Sequence, residues 1–379
     1  MSAPSAPGIE GLVEEAQRLL TICNACRYCE GYCAVFPALE RRLSFSEGDV
    51  HYLANLCHNC GSCLYACQYA PPHEFQLSLP RTLAQVRKET YRKHAWPAAL
   101  VSAFEHNGTK VALVVAVAIA FLFGFIAWAG DPAGFFAAHP DAQGAFYAVL
   151  PHGPMAALFG AVFAFALLAM AGGFLGFWIA TGESPADLAA PQPLASAAWD
   201  AAGLRYLDGG GPGCTYPGEA PSFARRNFHH LAFYGFALCF AATAVATIYH
   251  YAFGLRAPYP AWSLPVILGT LGGVGLVAGP AGLLWLRARR DPDLGDASQS
   301  GMDAAFCWLL ILVAATGLAL LALRETPAMA SLLALHLGAV LALFLTMPYG
   351  KMVHAPYRLA ALIRFHLERR RPLAPIGSE

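Results

Sequence analysis

Hydrophobic residues form six long runs in the last two-thirds of the chain, and these runs predict six membrane-spanning helices. A helix needs about 20 apolar residues to cross the hydrocarbon core of a bilayer. Lys110 and Asp303 stand at the ends of two runs, and the central stretches contain no Asp, Glu, Lys or Arg. The six predicted helices have the approximate bounds 110–129, 155–180, 229–253, 264–286, 303–323 and 330–350.

The residues before the first run follow a different pattern. The stretch LERRLSFSEGDVHYLANL lies between two groups of cysteines and predicts a helix with a capping box at Ser46 and Asp49. A helix at this place favours an α-helical ferredoxin-like domain, which we expect in residues 1–107. The predicted fold class is therefore all-α, with this domain followed by a six-helix transmembrane bundle in residues 108–360.

Composition and charge support this division. Of the whole chain, 57% is hydrophobic and only 13% is charged, whereas a soluble domain carries about 25% charged residues. The formal net charge of zero gives no argument for a nucleic-acid partner, and we predict none. The first residues lack a basic region followed by a short apolar stretch, so we predict no cleaved secretory signal. The cysteines should then lie in the cytoplasm, where thiols stay reduced.

The basic residues of the loops predict the orientation in the membrane. They are concentrated before the first helix, at the end of the loop 181–228, after the fourth helix and in a tail, 361–379. The intervening loops contain none in 130–154 and then only Arg256 and Arg324. Because cytoplasmic loops are rich in Lys and Arg, both termini should lie in the cytoplasm of a bacterium, with the chain in its inner membrane.

The loop 181–228 is rich in glycine and proline, so we predict that it contains no long regular element. Its single cysteine, Cys214, has no partner in the sequence. We interpret it as a buried or incidental thiol, as we do Cys239 and Cys307 in the helices.

Two copies of the motif C-x2-C-x2-C-x3-C predict two iron–sulfur clusters. The second copy repeats the first after 34 residues. In two-cluster proteins the fourth cysteine of each run binds the other cluster. Zinc sites usually use paired C-x2-C knuckles, which do not explain a third and a fourth cysteine. The predicted ligands are Cys23, Cys26, Cys29 and Cys67 for one [4Fe–4S] cluster, and Cys57, Cys60, Cys63 and Cys33 for the other.

Histidines in the third and sixth predicted helices are candidate ligands of haem b. A histidine inside a membrane helix is costly and tends to be functional, and neutral imidazole is a usual ligand of haem iron. One or two haems would be held without covalent attachment, because the sequence has no C-x-x-C-H. The alternative is a set of interfacial histidines that bind water and backbone carbonyls. The candidates are His229, His230, His250, His336 and His354.

Their spacing suggests two pairs. His336 and His354 are 18 residues apart, about 27 Å along a helix. One of His229 and His230 would then pair with His354 on the cytoplasmic side, and His250 with His336 on the other side. His152 is a weaker spare candidate. His51, His58 and His73 lie in the cysteine-rich domain, where we interpret them as packing or surface histidines.

Three stretches carry a resemblance to a known family. They are VFPALERRLSFSEGDVHYLANLCHNCGSCLYACQYAPPHEF, GCTYPGEAPSFARRNFHH and the six-helix region. They resemble the tricarballylate/citrate utilization protein B family over nearly the whole chain. This resemblance implies a membrane protein that reoxidises the reduced FAD of a separate tricarballylate dehydrogenase and passes the electrons to the quinone pool. In addition, LHLGAVLALFLTMPYGKMVHAPYR is similar to the haem-binding helix of nitrate reductase membrane subunits, which implies haem at His336 and His354.

We find no catalytic residue and no nucleotide-binding fingerprint, so the substrate chemistry should belong to the partner. Two alternatives stay open. The chain could serve a different flavin dehydrogenase or a heterodisulfide-type partner, or it could be a membrane redox sensor without turnover. A tricarboxylate transporter is disfavoured, because transporters of polyanions usually hold basic groups or broken helices at the midplane and these helices contain no internal Arg or Lys.

Overall fold

The computed structural model describes residues 9–129, 135–138 and 144–372, and this part of the chain is almost entirely helical. Six of its helices are long and apolar enough to cross a membrane. The structure therefore confirms the predicted fold class, a helical cysteine-rich domain followed by six membrane helices.

Five helices build the cysteine-rich domain around one hydrophobic core. Buried side chains of α1, α3 and α5, among them Leu20, Leu53 and Leu83, pack together in it. Both cysteine groups lie at the edge of this core. The first begins at the end of α1 and continues into the following turn, and the second begins directly after α3 and extends through α4. The helices are α1 (Ile9–Cys26), α2 (Val35–Leu39), α3 (Glu47–Leu56), α4 (Ser62–Tyr65) and α5 (Leu79–Lys93).

The capping box of α3 is confirmed, although the helix is shorter than predicted. The backbone N–H of Asp49 donates to the Oγ of Ser46 at 3.2 Å, and the backbone N–H of Ser46 donates to the Asp49 carboxylate at 3.2 Å. This reciprocal pair satisfies the free N–H groups of the first turn and begins the helix at Glu47. Residues 40–46, which we expected to be helical, form turns and extended chain.

The rest of the described chain contains the six long apolar helices, a short strand pair and three further α-helices, the last of which packs against α3 of the cysteine-rich domain. In chain order the elements are α6 (Asn107–Ala129), α7 (Ala145–Val149), α8 (His152–Ala180), α9 (Pro191–Ala202), β1 (Cys214–Thr215), β2 (Pro221–Ser222), α10 (Ala224–Phe253), α11 (Leu264–Ala288), α12 (Ser300–Leu323), α13 (Met329–Thr346) and α14 (His354–Glu368). Residues 130–134 and 139–143, in the loop that we predicted to lack basic residues, are outside the described residues.

Helices α10 and α11 approach each other closely at glycines. A Cβ atom on Gly235 would lie 2.8 Å from the backbone N of Leu276 and 2.9 Å from the carbonyl oxygen of Gly272. Small residues at such a crossing let two membrane helices make backbone contact. This contact fixes the position of α10, which carries His229 two turns before Gly235.

One prediction for the loop 181–228 is wrong, because the loop contains the 12-residue helix α9. Pro191 and Pro193 lie in the first turn of α9, where proline costs no hydrogen bond. The alanines that follow are strong helix formers. The glycine-rich second half of the loop does lack a long element and forms only the antiparallel pair of β1 and β2.

The segment 361–379, predicted as a basic tail, begins inside α14 and packs against α3, α8 and α9. Arg364, His366 and Glu368 are buried there. The Nε2 of His366 lies 2.9 Å from the carboxylate of Asp200 in α9. The start of the segment is therefore part of the core, because acidic partners from other elements neutralise its charges. Residues 373–379 lie outside the described residues.

Candidate metal centre and the adjacent cavity

The eight cysteines of the two motifs line two neighbouring cavities. Cys23, Cys26, Cys29, Cys63 and Cys67 line the first, which we call the outer cysteine cavity. Cys33, Cys57, Cys60 and Cys63 line the second, the inner cysteine cavity. Cys63 therefore borders both cavities. The other seven cysteines are divided between the cavities in the way that crossed ligation predicts.

Local backbone conformation brings these cysteines together. Gly61 precedes α4 with a left-handed φ of 86°, which a glycine adopts without strain. A Cβ atom there would meet the carbonyl oxygen of Thr215. The backbone N–H of Asn59 points at the Sγ of Cys57 at 3.4 Å. The turn after α3 is therefore held in a tight loop with its cysteines directed into the inner cavity.

Most of the thiols are in surroundings that disfavour their charged form. Burial, followed by the charge of neighbouring cysteines, raises the pKa of Cys23 and of Cys29 to about 12. The same causes raise the pKa of Cys33 and of Cys63 well above the usual range. Buried thiolates this close to one another need positive charge between them, and the iron of a cluster would supply it.

A single metal ion fits these cavities poorly. Within residues 9–129, 135–138 and 144–372, no group of three or more His, Cys, Asp or Glu side chains converges on one point to hold an ion. The thiols of each cavity are instead distributed around its wall. An all-thiol set of this kind suits an iron–sulfur cube, whose corners are separated, better than zinc.

The two cavities differ in exposure. The cysteines of the outer cavity are partly exposed, and Tyr28 on its rim is 68% exposed. In the inner cavity Cys57 and Cys60 are only 8% and 7% exposed. The outer cavity therefore borders solvent, whereas the inner cavity lies deeper in the protein.

A third, much larger cavity adjoins the inner one on the side of the membrane helices. Its volume is about 310 Å³, and we call it the bundle cavity. His58 and Asn59 line both the inner cysteine cavity and the bundle cavity. The Nδ1–H of His58 donates to the carbonyl oxygen of Leu56 at 2.9 Å, and burial lowers the pKa of His58 well below the usual range. It was predicted only as a packing or surface histidine.

The bundle cavity brings together two of the candidate haem ligands, His229 and His354. Their ring centroids are 6.1 Å apart and the rings are almost perpendicular. The Nδ1 of His354 lies 2.6 Å from the carbonyl oxygen of Lys351, which leaves Nε2 free to bind a metal. Burial, then the charge of Lys351, lowers the pKa of His354 well below the usual range, so its imidazole is neutral. The Nδ1 of His229 is buried without a hydrogen-bond partner.

The structure also separates His229 from His230. The ring of His230 packs against Tyr234, with 5.7 Å between the ring centroids, and His230 is not part of the cavity wall. Successive residues on a helix point about 100° apart, so only one of the two faces the cavity. The pair that the structure brings together is therefore His229 and His354.

The second predicted pair, His250 with His336, is not brought together. His250 stacks on His152, with ring centroids 3.7 Å apart. The Nδ1 of His336 lies 3.2 Å from the Oγ1 of Thr316 and 3.1 Å from the carbonyl oxygen of Val313. His336 therefore faces α12 rather than α10, because the rotation of α13 about its axis directs this side chain away from His250.

Three arginines of the bundle cavity bind the backbone of the cysteine loop. From the sequence, basic residues such as these indicated only the orientation of the chain in the membrane. Arg358 donates to the carbonyl oxygen of Cys57 at 2.7 Å, and Arg225 to that of Asn59 at 2.6 Å. Arg87 also donates to the Cys57 carbonyl oxygen. Burial and the charge of Arg87 lower the pKa of Arg358 to about 10. The sequence did contain a signal for the presence of these arginines at the histidine cavity. Arg225 precedes His229 by four residues and Arg358 follows His354 by four, so each arginine lies about one helical turn from a candidate haem ligand.

Comparisons with known proteins agree with this architecture. Residues 16–93 match the family model described as the citrate utilization protein B Fer4-like domain, and residues 105–375 match that of citrate utilization protein B. The chain belongs to the citrate utilization protein B family. A relative of that name from Escherichia coli is 50% identical over 362 residues, which cover 94% of this chain and 93% of the relative. No solved structure matches the chain.

The family membership confirms the resemblance inferred from the sequence. The matched Fer4-like domain contains all eight motif cysteines. The second matched region contains the six apolar helices and two of the histidines of the bundle cavity, His229 and His354. Together these findings describe a membrane protein with an iron–sulfur type of domain, a combination that suits electron transfer.

Proposed function

We propose that this protein carries electrons from the reduced flavin of a partner dehydrogenase, through two [4Fe–4S] clusters and haem b, to the quinone pool. The partner in this proposal is a tricarballylate or citrate-type dehydrogenase with FAD. One observation carries the proposal. The inner cysteine cavity and the bundle cavity share a wall at His58 and Asn59, so cysteines and candidate haem ligands lie along one continuous path.

The cysteines of each cavity would hold one cluster. When bound, the clusters and the haem would each take up and release one electron at a time. The partly exposed outer cysteines and the exposed ring of Tyr28 make the outer cavity the side on which a soluble flavoprotein would dock. The buried inner cysteines would pass the electrons on towards the membrane, since low exposure keeps solvent away from that site.

His229 and His354 are our candidates for the haem b ligands. The bundle cavity is strongly basic, with six cationic side chains on its wall and only two acidic ones. Arginine and lysine suit carboxylates, so these residues would bind the two propionates of a haem. The cationic residues are Arg87, Arg225, Arg287, Arg290, Lys351 and Arg358, and the acidic ones are Asp296 and Asp303.

The positive residues around the cysteine-rich domain support a cytoplasmic location of that domain and of both termini. A cytoplasmic dehydrogenase would then reach the outer cavity directly. Quinone diffuses within the bilayer, so it would accept electrons at a pocket between the membrane helices. In this arrangement the protein itself binds no flavin, and the substrate chemistry belongs to the partner.

The first test is an optical spectrum of the detergent-purified protein before and after reduction by dithionite, with iron and haem quantified. We expect broad cluster absorbance, about eight cluster irons per chain and the sharp bands of reduced b-type haem. Absence of haem bands would contradict the part of the proposal that concerns His229 and His354. Iron far below this content would contradict the clusters.

The second test measures electron transfer from the flavin of the partner to quinone. The partner dehydrogenase is mixed with its substrate, a soluble quinone analogue and the purified protein, and the reoxidation of the flavin is measured. We expect turnover with the wild-type protein and none with Cys60→Ser, which removes one ligand of the inner set. Cys239→Ser removes a cysteine outside both cavities and serves as the matched control. Clusters that form normally without any turnover would indicate a redox sensor instead.

Growth of a deletion strain identifies the partner. Loss of growth on tricarballylate or on citrate alone would name the substrate of the dehydrogenase. Normal growth on both, with a defect on another carbon source, would indicate a different flavin dehydrogenase or a heterodisulfide-type partner.

A further inference from the structure

Helix α9 is buried on one face and exposed on the other. Ala197 is fully buried, whereas Trp199 is 79% exposed and Leu194 is 42% exposed. The exposed face is small and apolar, and a large exposed aromatic ring on such a face indicates contact with a partner or with a membrane. Its residues are Leu194, Ala195, Ala198 and Trp199.

A basic cleft of about 600 Å³ lies beside Trp199, and we call it the α9 cleft. Among the described residues, Asp200 is the one acidic side chain on its wall. The carboxylate of Asp200 already lies 2.9 Å from the Nε2 of His366 and 3.3 Å from the guanidinium of Arg205. The α9 cleft therefore has an excess of positive charge. Its wall consists of Ala195, Ser196, Trp199, Asp200, Arg205, His366, Arg369 and Arg370.

Two arginines of the α9 cleft, Arg369 and Arg370, are exposed at the end of α14. Arg370 donates to the side-chain oxygen of Gln192. Within residues 9–129, 135–138 and 144–372, no carboxylate forms an ion pair with either arginine, whereas the next residue, Arg371, pairs with Glu183 at 2.7 Å. The cleft can therefore accept an anion from outside the chain.

The end of α9 is fixed beside a membrane helix. The hydroxyl of Tyr234 donates to the carbonyl oxygen of Ala202 at 2.9 Å, and Arg226 donates to that of Gly203 at 2.9 Å. Tyr234 lies ten residues after the start of α10 at Ala224, inside one of the six long apolar helices. The exposed face of α9 therefore lies at the level where α10 enters its apolar segment.

We propose that α9 lies in the membrane surface on the side of the cysteine-rich domain, and that the α9 cleft binds the phosphate of an anionic phospholipid. Tryptophan is enriched at the boundary between lipid and water, so Trp199 would lie among the lipid glycerol groups. Arginine binds phosphate with paired hydrogen bonds, and basic residues at a membrane surface are attracted by anionic lipids.

Two observations favour a lipid over an acidic protein as the occupant. The bond between Tyr234 and Ala202 brings α9 to the side of an apolar helix. In addition, α9 packs against α14, which in turn packs against α3, so the flank of α9 is separate from the outer cysteine cavity. The inference requires only that the six apolar helices lie in a membrane, and it is independent of clusters, haem and the partner dehydrogenase.

The test is thermal unfolding of the full-length protein, purified in an uncharged detergent, as phosphatidylglycerol is added. A ligand that binds the folded state raises the midpoint of unfolding. We expect phosphatidylglycerol to raise it more than phosphatidylcholine with the same acyl chains, which has no net charge. Inorganic phosphate and a soluble acidic peptide, added in place of the lipid, should raise the midpoint less than phosphatidylglycerol does.

The double variant Arg369→Gln/Arg370→Gln should need about 25-fold more phosphatidylglycerol for half of the full shift, since each basic residue near an anionic surface contributes about fivefold. The matched control is Arg18→Gln/Arg81→Gln, which removes two exposed arginines of the cysteine-rich domain and should need the wild-type concentration. Trp199→Ser should weaken the effect of the lipid, and Trp199→Phe should retain most of it.

A second double variant covers the case in which the glutamine variant unfolds at a lower temperature even without lipid. Arg369→Lys/Arg370→Lys keeps both charges and loses only the paired geometry, so its half-maximal concentration should rise by a few fold at most.

Four results would overturn the proposal. The first is an equal shift with phosphatidylcholine, and the second is an equal lipid requirement in the wild-type protein and both arginine variants of the cleft. The third is a shift with inorganic phosphate as large as with the lipid, which would indicate a site for a free anion. The fourth is a larger shift with the acidic peptide, which would indicate a protein partner.

Discussion

The guanidinium of Arg358 donates a hydrogen bond to the carbonyl oxygen of Cys57 at 2.7 Å, although the two residues are 301 positions apart in the sequence. Cys57 belongs to the inner set of cysteines, and Arg358 lies one helical turn after His354. This bond ties the cysteine loop to the helix that carries a candidate haem ligand. The distance between the inner cavity and the bundle cavity is thus set by specific side chains.

Replacing Arg358 should loosen this connection. Arg358→Gln would lose the bonds to Cys57 and to the carbonyl oxygen of Asn55, which is 3.2 Å from Nε. The Cys57 carbonyl oxygen would keep its bond from Arg87, but the Asn55 carbonyl oxygen would lose its bond from Arg358. Leaving a buried carbonyl unpaired costs about 1–3 kcal/mol, so we expect a lower midpoint of thermal unfolding in detergent. The control is Arg81→Gln, whose exposed ion pair with Asp293 should contribute about 0–1 kcal/mol. Equal shifts in the two variants would contradict a special role for Arg358.

Of the neighbouring histidines His229 and His230, only His229 lines the bundle cavity. His229→Ala should remove the reduced b-type haem bands from the purified protein, because His229 lines the cavity opposite His354. His230→Ala, its matched control, should retain them, because that ring packs on Tyr234 outside the cavity wall. The non-haem iron content should stay the same in both variants. Loss of the haem bands in His230→Ala but not in His229→Ala would mean that His230, and not His229, is the haem ligand.

A buried ion network joins α14 to the cysteine-rich domain. Glu368 accepts hydrogen bonds from Arg42, from Arg364 at 3.0 Å and from the hydroxyl of Tyr52 at 3.1 Å. Glu368→Ala would leave two buried guanidinium groups without this partner. Removing one member of a buried ion pair costs about 3–5 kcal/mol, so thermal unfolding in detergent should occur at a clearly lower temperature.

The control for Glu368 is Glu15→Ala. Its ion pair with Arg18 is exposed, with side chains 40% and 44% exposed, and such pairs contribute about 0–1 kcal/mol. If both variants unfold at the wild-type temperature, the network does not hold α14 in place.

The membrane helices and the two sets of cysteines could be predicted because their signals are local. Hydropathy over 20 residues is a property of one segment, and the cysteine spacing in each turn is set by the geometry of one cluster. The contacts of Arg225 and Arg358 could not be predicted in this way. The positive-inside rule counts charges on one side of a membrane, and it does not say which carbonyl a guanidinium will reach.

The pairing of the histidines and the surroundings of Cys214 depend on tertiary structure. Sequence spacing places His250 and His336 at similar depth, but the rotation of each helix about its axis decides which neighbour a side chain meets. His336 meets Thr316 instead. Cys214 has no partner nearby in sequence, and only the folding of β1 onto the loop at Gly61 places it in the same hydrophobic cluster as Cys60.

Stability should depend on pH through His94, which lies between the cysteine-rich domain and α8. Burial, then the charge of His51, lowers the pKa of His94 to about 4. An unfolded histidine has a pKa of about 6.5. Between these two values the unfolded chain binds a proton that the folded chain does not, so this contribution to stability is complete above pH 6.5 and is lost as the pH falls towards 4.

The midpoint of thermal unfolding should therefore be lower at pH 5 than at pH 7, and the difference should be smaller in His94→Gln. His106→Gln changes an exposed histidine and should leave the difference at its wild-type value. An identical difference in all three proteins would show that His94 contributes nothing to the pH dependence.

The glycine contact between α10 and α11 should control the position of His229. A leucine side chain at Gly235 cannot fit, because its Cβ atom would already lie 2.8 Å from the backbone N of Leu276 and 2.9 Å from the carbonyl oxygen of Gly272. Gly235→Leu should force the two helices apart and displace His229 from the bundle cavity. We expect loss of the haem bands with the cluster absorbance retained, since no residue of α10 or α11 belongs to the hydrophobic core around the cysteine-rich domain. Gly160→Leu is the matched control in α8, because nothing lies within 4 Å of a Cβ atom built there. Normal haem bands in Gly235→Leu would mean that the α10–α11 contact does not set the haem site.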